Sequence, residues 1–200
     1  MSAPERREQI LDVAHDIVAA EGFHAATPKR IADEAGVTRT VLYQQFGDLA
    51  GLFVTLIDRE ADRIGAQYLE AVAEVAPDSG NDPFVSAFEG AVRAIDENPA
   101  GWRLFLLPPE GAPPALHERL AQSRDAVVAF MELSLRTTFP GIEDPEYLAR
   151  VVHATARELL CLRLTDPENA TVERLTGLIR RLRTFAPPRS EHAPSEGASS

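Results

Sequence analysis

The chain has 200 residues, of which 44% are hydrophobic and 26% charged, and a formal net charge of −11. This composition is typical of a globular protein in solution. No segment approaches the roughly 18 consecutive apolar residues of a membrane helix, and the N-terminus lacks the apolar core of a secretory signal. Cys161 is the single cysteine, so no disulfide can form within the chain. We therefore expect a cytoplasmic protein without a membrane partner.

The charge balance argues against nucleic acid as a partner. Residues 1–50 contain five basic and eight acidic residues, whereas DNA-binding proteins usually carry a basic excess that neutralises phosphates. DNA binding would require that a few basic residues share one face while the acidic residues point elsewhere.

The N-terminal third predicts three short helices. Apolar residues recur with helical spacing at about residues 6–20, 28–35 and 39–45. Thr27 and Thr38 are suited to cap the second and third helices, Pro28 suits a first helical position, and Gly36 can adopt the left-handed turn between the two helices.

The rest of the chain also predicts helices only. A fourth helix is predicted to begin near Asp48 and to reach the low seventies. The helical spacing of apolar residues continues after a proline- and glycine-rich break at 77–83, and no segment shows the alternation of a convincing strand. The further helices are predicted at about 83–97, 99–107, 113–138, 145–164 and 170–185. We expect an all-α fold with a helix-turn-helix domain at 1–48, joined by the long fourth helix to a helical bundle within 49–186, and a mobile tail at 187–200.

One segment carries a functional signal. Residues 29–46, KRIADEAGVTRTVLYQQF, contain a short predicted helix, a glycine turn and a second short predicted helix. In a helix-turn-helix the second helix enters the major groove, where arginine and glutamine can read base edges and hydroxyls can hold phosphates. A glycine-linked helix pair also occurs in proteins that bind no DNA, so the residues alone leave both interpretations open.

The same region resembles a known family. From Arg7 to about Asp58 the chain is similar to the TetR (tetracycline-repressor-like) family, through ILDVA in the first helix, EGFHAAT before the second, IADEAGVTRTVLYQQF, and LFVTL in the fourth. The resemblance implies a homodimeric transcriptional repressor that binds a palindromic operator in double-stranded DNA. It also implies a C-terminal domain that dimerises and binds a small-molecule effector, which relieves repression.

By position, the resemblance also assigns DNA contacts. The residues it places against DNA are Thr27, Lys29, Thr38, Arg39, Thr40, Tyr43, Gln44 and Gln45. Two positions depart from the family pattern. Thr40 stands where glycine is common, and Leu49 stands where a phosphate-binding lysine is usual, so we expect one backbone contact to be missing.

The C-terminal half offers candidates for ligand binding and for assembly. Large apolar residues expected to surround an effector pocket are Phe84, Phe88, Trp102, Phe105, Phe130 and Met131, although each could simply fill the core. Such a pocket favours a largely apolar, neutral or weakly cationic ligand. Residues 113–138 are apolar on more than one face, which favours burial between neighbours or a cavity wall. Two apolar stripes predict a dimer interface that includes Val151, Leu159, Leu175, Leu178, Ile179 and Leu182.

The sequence gives little support to catalysis. His153, Arg157 and Cys161 recur on one helical face, but they provide too few ligands for a metal, and a polar seam between helices explains them better. Asp58 and Asp62 lack the second acidic motif of a metal-diphosphate enzyme. We predict no catalytic residue, metal site or cofactor. Two alternatives remain open: a ligand-binding or interaction protein of the same fold that has lost DNA binding, and an all-α enzyme.

Overall fold

The computed structural model describes residues 2–75, 83–107 and 109–184, and within them it contains helices and no strand. The helices are α1 (Ala3–Glu21), α2 (Pro28–Glu34), α3 (Arg39–Phe46), α4 (Leu49–Val75), α5 (Pro83–Glu97), α6 (Pro99–Leu106), α7 (Pro114–Thr138), α8 (Pro145–Thr165) and α9 (Val172–Thr184), with a 3₁₀ turn at Phe23–Ala25. The all-α prediction is therefore confirmed. The predicted tail at 187–200 and most of the predicted break at 77–83 lie outside the described residues.

The first helix begins earlier than the apolar pattern indicates. The Ser2 backbone N–H donates to the Glu5 carboxylate at 2.6 Å, and the Glu5 backbone N–H donates to the Ser2 hydroxyl at 3.4 Å. This reciprocal pair is a capping box, which satisfies N–H groups that the first helical turn leaves unpaired. The apolar residues on which the prediction of this helix rests start only at Ile10, so they do not indicate the cap at Ser2.

Helices α1, α2 and α3 form a compact head. Gly36 has a φ of +63° and closes the turn between α2 and α3, where the Val37 N–H donates to the Ala32 carbonyl at 2.9 Å. The core of the head includes Ile10, Leu11, Ala14, Ile31, Leu42 and Phe46. It continues into α4 and takes in Leu104 of α6 and Leu116 of α7. Packing is therefore continuous across residue 48, where we expected a domain boundary.

The remaining helices enclose two further apolar clusters. Helix α4 packs against α5 and α7, and α7 packs against α8. A middle cluster joins α5, α6, α8 and α9 and is built on buried residues such as Val92, Ile95 and Leu160. A smaller cluster lies between α5, α7 and α8, where the rings of Phe84 and Phe139 stack at 5.8 Å. Among the described residues no helix is both long and apolar enough to cross a membrane.

One face of α7 is open to solvent. Val127, Phe130 and Leu133 are 44%, 58% and 63% exposed, whereas Val128 and Leu135 on the opposite face are buried. Within the protomer α7 therefore buries the face that carries Val128 and Leu135 against α5 and α8, and the expected burial on a further face is not seen.

Candidate nucleic-acid interface

The outer face of α3 is polar and accessible. Thr38 caps the helix, since the Val41 N–H donates to its hydroxyl at 3.3 Å. Arg39, Thr40 and Gln44 are exposed, and Tyr43 is 43% exposed. Leu42 and Phe46 on the inner face are buried in the head core. The amphipathic spacing of α3 therefore presents a row of hydrogen-bonding side chains to solvent.

The start of α2 lies next to this face, but its cations are already paired. Thr27 caps α2 by accepting from the Arg30 N–H at 3.3 Å. The Lys29 ammonium lies 2.7 Å from the Asp33 carboxylate, and the Arg30 guanidinium binds the carboxylates of Glu21 and Glu34. Hydrogen bonding from Arg30 holds the pKa of Glu21 below its usual value. These basic side chains already have carboxylate partners, so their charge is partly compensated before any phosphate approaches.

The acidic residues of α1 are also engaged. Arg59 on α4 lies 3.1 Å from the Glu8 carboxylate and 2.8 Å from that of Asp12, and it pairs at 2.8 Å with the buried Glu60. Glu8 and Asp12 are thus paired with a cation on α4 rather than with one on α3. Within the described residues, Arg39 has no carboxylate in ion-pair distance. The one long cation on α3 is therefore available to a partner.

The C-terminal end of α3 is fixed against α1 and α4. The guanidinium of Arg7 donates to the carbonyl oxygen of Gln45, stacks on the Phe46 ring at 4.4 Å and reaches the Thr55 hydroxyl at 3.4 Å. A Cβ on Gly51 would lie 2.3 Å from the Phe46 carbonyl oxygen. Sequence reasoning missed both Arg7 and Gly51. The glycine in the first turn of α4 was an available signal, because glycine is disfavoured inside helices unless something approaches closely.

One predicted DNA-contact residue, Gln45, and one departure from the family pattern, Leu49, have structural roles. Gln45 is half-buried, and its carbonyl is the group that Arg7 binds. Leu49, the departure from the family pattern, is half-buried and packs against the head core. Leucine at this position therefore contributes apolar packing where the family usually has a cation. A lysine placed there would lose this packing.

The predicted effector residues are not brought together, which corrects that prediction. Phe105 packs on the head cluster, Phe88 and Trp102 belong to the middle cluster, Phe84 and Met131 belong to the third, and Phe130 is exposed. Helical spacing shows which residues are apolar but not which neighbour each one meets. A shallow cavity of about 270 Å³ lies elsewhere, between the head and the α6–α7 connection, and is lined by residues that include Phe23, Leu49 and Pro113.

The predicted dimer residues divide into three groups. Val151 and Leu182 are 61% and 45% exposed, and Leu178 and Ile179 are half-buried against the middle cluster. Leu159 and Leu175 are buried in the protomer's own core, which corrects their assignment to an interface, because a fully covered side chain has little surface left for a partner. Other exposed apolar residues on α8 and α9 are Tyr147, Leu162 and Val172.

The residues considered for catalysis make structural contacts. Arg157 and Cys161 both donate to the Leu106 carbonyl, at 2.6 Å and 3.3 Å, and so form a polar seam between α8 and the end of α6. Burial, with the nearby charges of Arg157 and Arg124, lowers the pKa of His153. Asp58 pairs with Arg119 and thereby links α4 to α7.

The geometry is that of a helix-turn-helix protein with a helical C-terminal half, and comparison with known proteins makes the class more specific. Residues 10–56 match the family model described as "Bacterial regulatory proteins, tetR family". The transcriptional activator FasR of Mycolicibacterium smegmatis is 31% identical over 101 residues, which are 50% of this chain and 45% of FasR. The chain thus aligns with less than half the length of this curated relative.

Solved structures match over most of the chain. A transcriptional regulator of Pseudomonas aeruginosa PAO1 superposes with a TM-score of 0.72 at 16% identity, over 93% of this chain and 94% of that one. The multidrug binding protein EbrR, in complex with imidazole, has a TM-score of 0.66 at 20% identity, over 88% and 94%. At these identities the likeness establishes the fold. The sequence match shows that residues 10–56 are similar to the N-terminal region of tetR-family regulators, and the superpositions show that the chain shares the fold of these solved structures.

Proposed function

We propose that this chain is a cytoplasmic, DNA-binding transcriptional regulator that acts as a homodimer, inserts α3 into the major groove and releases its operator when a small molecule binds. The observation that carries the proposal is the outer face of α3, where an unpaired arginine, Arg39, stands beside Tyr43 and Gln44 while acidic residues of the head are paired elsewhere. Arginine and glutamine on such a helix can make bidentate contacts with guanine and adenine.

The test is selection of a binding site. The unaltered protein is used to enrich duplexes from a random library, and its affinity for the enriched duplex is compared with that for a scrambled duplex at one fixed salt concentration. A preference of about a thousandfold or more is expected of a specific regulator. If no sequence is enriched and binding at low salt is absent, the chain is instead a helical ligand-binding or interaction protein of the same fold.

Assembly as a homodimer is supported by apolar surface that the protomer leaves uncovered. Tyr147 and Val151 on α8 are 69% and 61% exposed, and Leu162 further along the same helix is 42% exposed. A stripe of this kind is costly in water and is covered when a second copy packs on it. A two-fold dimer presents two heads and so favours a palindromic operator, with half-sites one helical turn or a multiple apart.

The direction of regulation is tested by a reporter gene placed behind the enriched sequence. We expect expression to fall when the protein is present and to recover when effector is added. FasR is described as an activator, so a rise in expression in the same assay would replace repression with activation while leaving DNA binding intact.

We propose that the effector enters the middle cluster beside Trp102. The indole N–H of Trp102 is buried, and it has no hydrogen-bond partner within the described part of the chain. Tyr68 and Phe88 belong to the same cluster. A buried donor without an acceptor costs free energy, so a largely apolar ligand that carries one hydrogen-bond acceptor would gain from entering here.

Trp102 also supplies the readout, because it is the only tryptophan in the chain. Apolar compounds with and without a carbonyl acceptor are titrated while the tryptophan emission is followed. We expect the carbonyl compounds to shift the emission and to raise the melting temperature, since a ligand that binds only the folded state stabilises it. Binding that leaves Trp102 emission unchanged would move the effector site away from this cluster.

A further inference from the structure

We propose that Arg7, on the helix that precedes the helix-turn-helix, is the positioning residue of the recognition helix α3, and that it acts on DNA affinity through the end of α3 without contacting a base or phosphate. This inference rests on the proposed DNA-binding function, but the contacts that carry it are visible in the protein alone. Arg7 spans three helices: it lies on α1, binds α3 at Gln45 and Phe46, and reaches Thr55 on α4.

The end of α3 needs an external cation. The last carbonyl groups of a helix have no partner within the helix, and they carry the negative end of its dipole. Helix α3 has no basic residue in its last turn. It is followed by the capping residue Gly47, whose φ is +79° and whose N–H donates to the Tyr43 carbonyl at 2.8 Å. The carbonyl of Gln45 is bound by the guanidinium of Arg7, which thus supplies from α1 the charge that α3 lacks.

The same guanidinium holds the helix against the head. It stacks on the ring of Phe46, which is 8% exposed and belongs to the head core. An arginine over an aromatic face is attracted by the ring's negative charge density. The stacking sets the orientation of the last turn, and that turn carries Tyr43 and Gln44, two side chains on the face that we assign to DNA.

The other side of this turn is closed by backbone. The backbone of Gly51 lies so close to the last turn of α3 that a Cβ on this residue would be 2.3 Å from the Phe46 carbonyl oxygen. The Gly51 N–H donates to the Asp48 carboxylate at 2.7 Å. With α4 on one side and Arg7 on the other, the last turn of α3 is held in place from both sides. Removing Arg7 opens one side only, so the last turn should fray while the rest of the head stays folded.

Hydrogen exchange of the DNA-free protein tests this directly. In Arg7→Met, the amides of Phe46 and Gly47 should exchange roughly tenfold faster, as expected for the loss of a hydrogen bond to a charged group, while amides in the middle of α1 keep their protection. Arg6→Met is the matched control, because Arg6 precedes Arg7 on α1, carries the same charge and makes none of the three contacts. Equal acceleration throughout the head, or none at α3, would overturn the proposal. Thr55→Val, which removes only the weakest contact, should give a smaller effect at the same amides.

Salt titration separates positioning from phosphate binding. On the duplex enriched with the unaltered protein, Arg7→Met should weaken binding about tenfold with the slope of log affinity against log salt unchanged, and Arg7→Lys should recover part of the loss. If Arg7 binds a phosphate, the slope falls by about 0.9 for each protomer and random DNA loses as much affinity as the enriched duplex; that result would contradict the proposal. Failure of the unaltered protein to bind any duplex would refute the proposed function instead, and the exchange experiment would still decide the role of Arg7.

Discussion

Arg30 on α2 donates from both terminal nitrogens to the carboxylate of Glu21, the last residue of α1, at 2.7 Å and 2.8 Å. This two-point contact has the geometry that arginine and carboxylate favour. It ties the C-terminal end of α1 to α2, while Glu34 holds the Nε of the same guanidinium at 2.8 Å. The pair thus fixes the end of α1 against α2.

The Glu21–Arg30 pair makes the stability of the head depend on pH. The pKa of Glu21 is lower in the folded chain because Arg30 hydrogen-bonds to its carboxylate, so the pair stabilises the fold above the unfolded-state pKa of about 4.3 and loses this effect as pH falls through the folded value. We expect Glu21→Gln to lower the melting temperature modestly near pH 7 and by progressively less as the pH falls below about 4.3. The gap should also shrink in high salt, since the pair is exposed. A gap that is constant with pH would show that the pair contributes through packing alone.

Gly51 is predicted to be intolerant of any side chain. Gly51→Ala would place a Cβ against the Phe46 carbonyl, so the α3–α4 junction must move, at a cost of about 1–3 kcal/mol in the free energy of unfolding. Gly65→Ala, in the same helix, meets no atom within 4 Å and should stabilise by about 0.5–1 kcal/mol. Denaturant unfolding of the two variants measures both effects. Similar changes in the two would mean that α3 does not close on α4 as described.

The sequence predicted helix positions better than it predicted neighbours. The apolar spacing of α1 to α4 and the caps at Thr27 and Thr38 follow from local rules, and the structure confirms the helices they imply. Long-range packing determines which helix each apolar face contacts, and local spacing does not show it. Phe88 and Phe105 were therefore assigned to one pocket although they lie in different clusters. For the same reason Leu159 and Leu175 were assigned to an interface although they are core residues.

The candidate DNA-binding site shows the same division. The exposed face of α3 could be read from its spacing, because one helix alone determines which of its side chains point outward. The roles of Arg7 and Gly51 could not be read, since they depend on contacts with residues about forty positions away along the chain or on a single backbone approach. The acidic composition of the head likewise does not show where its charges lie, because ion pairs such as Arg59–Asp12 join residues that are distant in sequence.

The exposed stripe of α8 predicts how two protomers pair. Ala154 is exposed and small, Val151 lies beside it, and Arg150 and Glu158 are exposed four residues before and after it. If two α8 helices cross antiparallel at Ala154, Arg150 of one protomer lies opposite Glu158 of its partner, and the two-fold axis repeats the pair. We expect Arg150→Glu or Glu158→Arg to weaken the dimer about tenfold or more, because like charges then face each other.

Combining the two substitutions should restore the dimer, since the reversed charges again attract. Sedimentation equilibrium of the three variants gives the dimer dissociation constants. Arg150 also pairs with Glu146 at 3.5 Å within α8, so a melting curve of each variant records any change within the protomer. A double variant that stays as weak as the single ones would place the crossing point elsewhere.

The central claim, that α3 reads DNA sequence, is tested most directly by the affinity of Arg39→Ala for an enriched and a random duplex, measured by fluorescence anisotropy in the same salt. Because Arg39 is the long cation on the exposed face of α3, its loss should cost about 1–3 kcal/mol on the enriched duplex and clearly less on the random one. Arg93→Ala, an exposed arginine on α5, should change neither affinity. Equal losses of Arg39→Ala on both duplexes, or none on either, would contradict the claim that α3 reads base sequence.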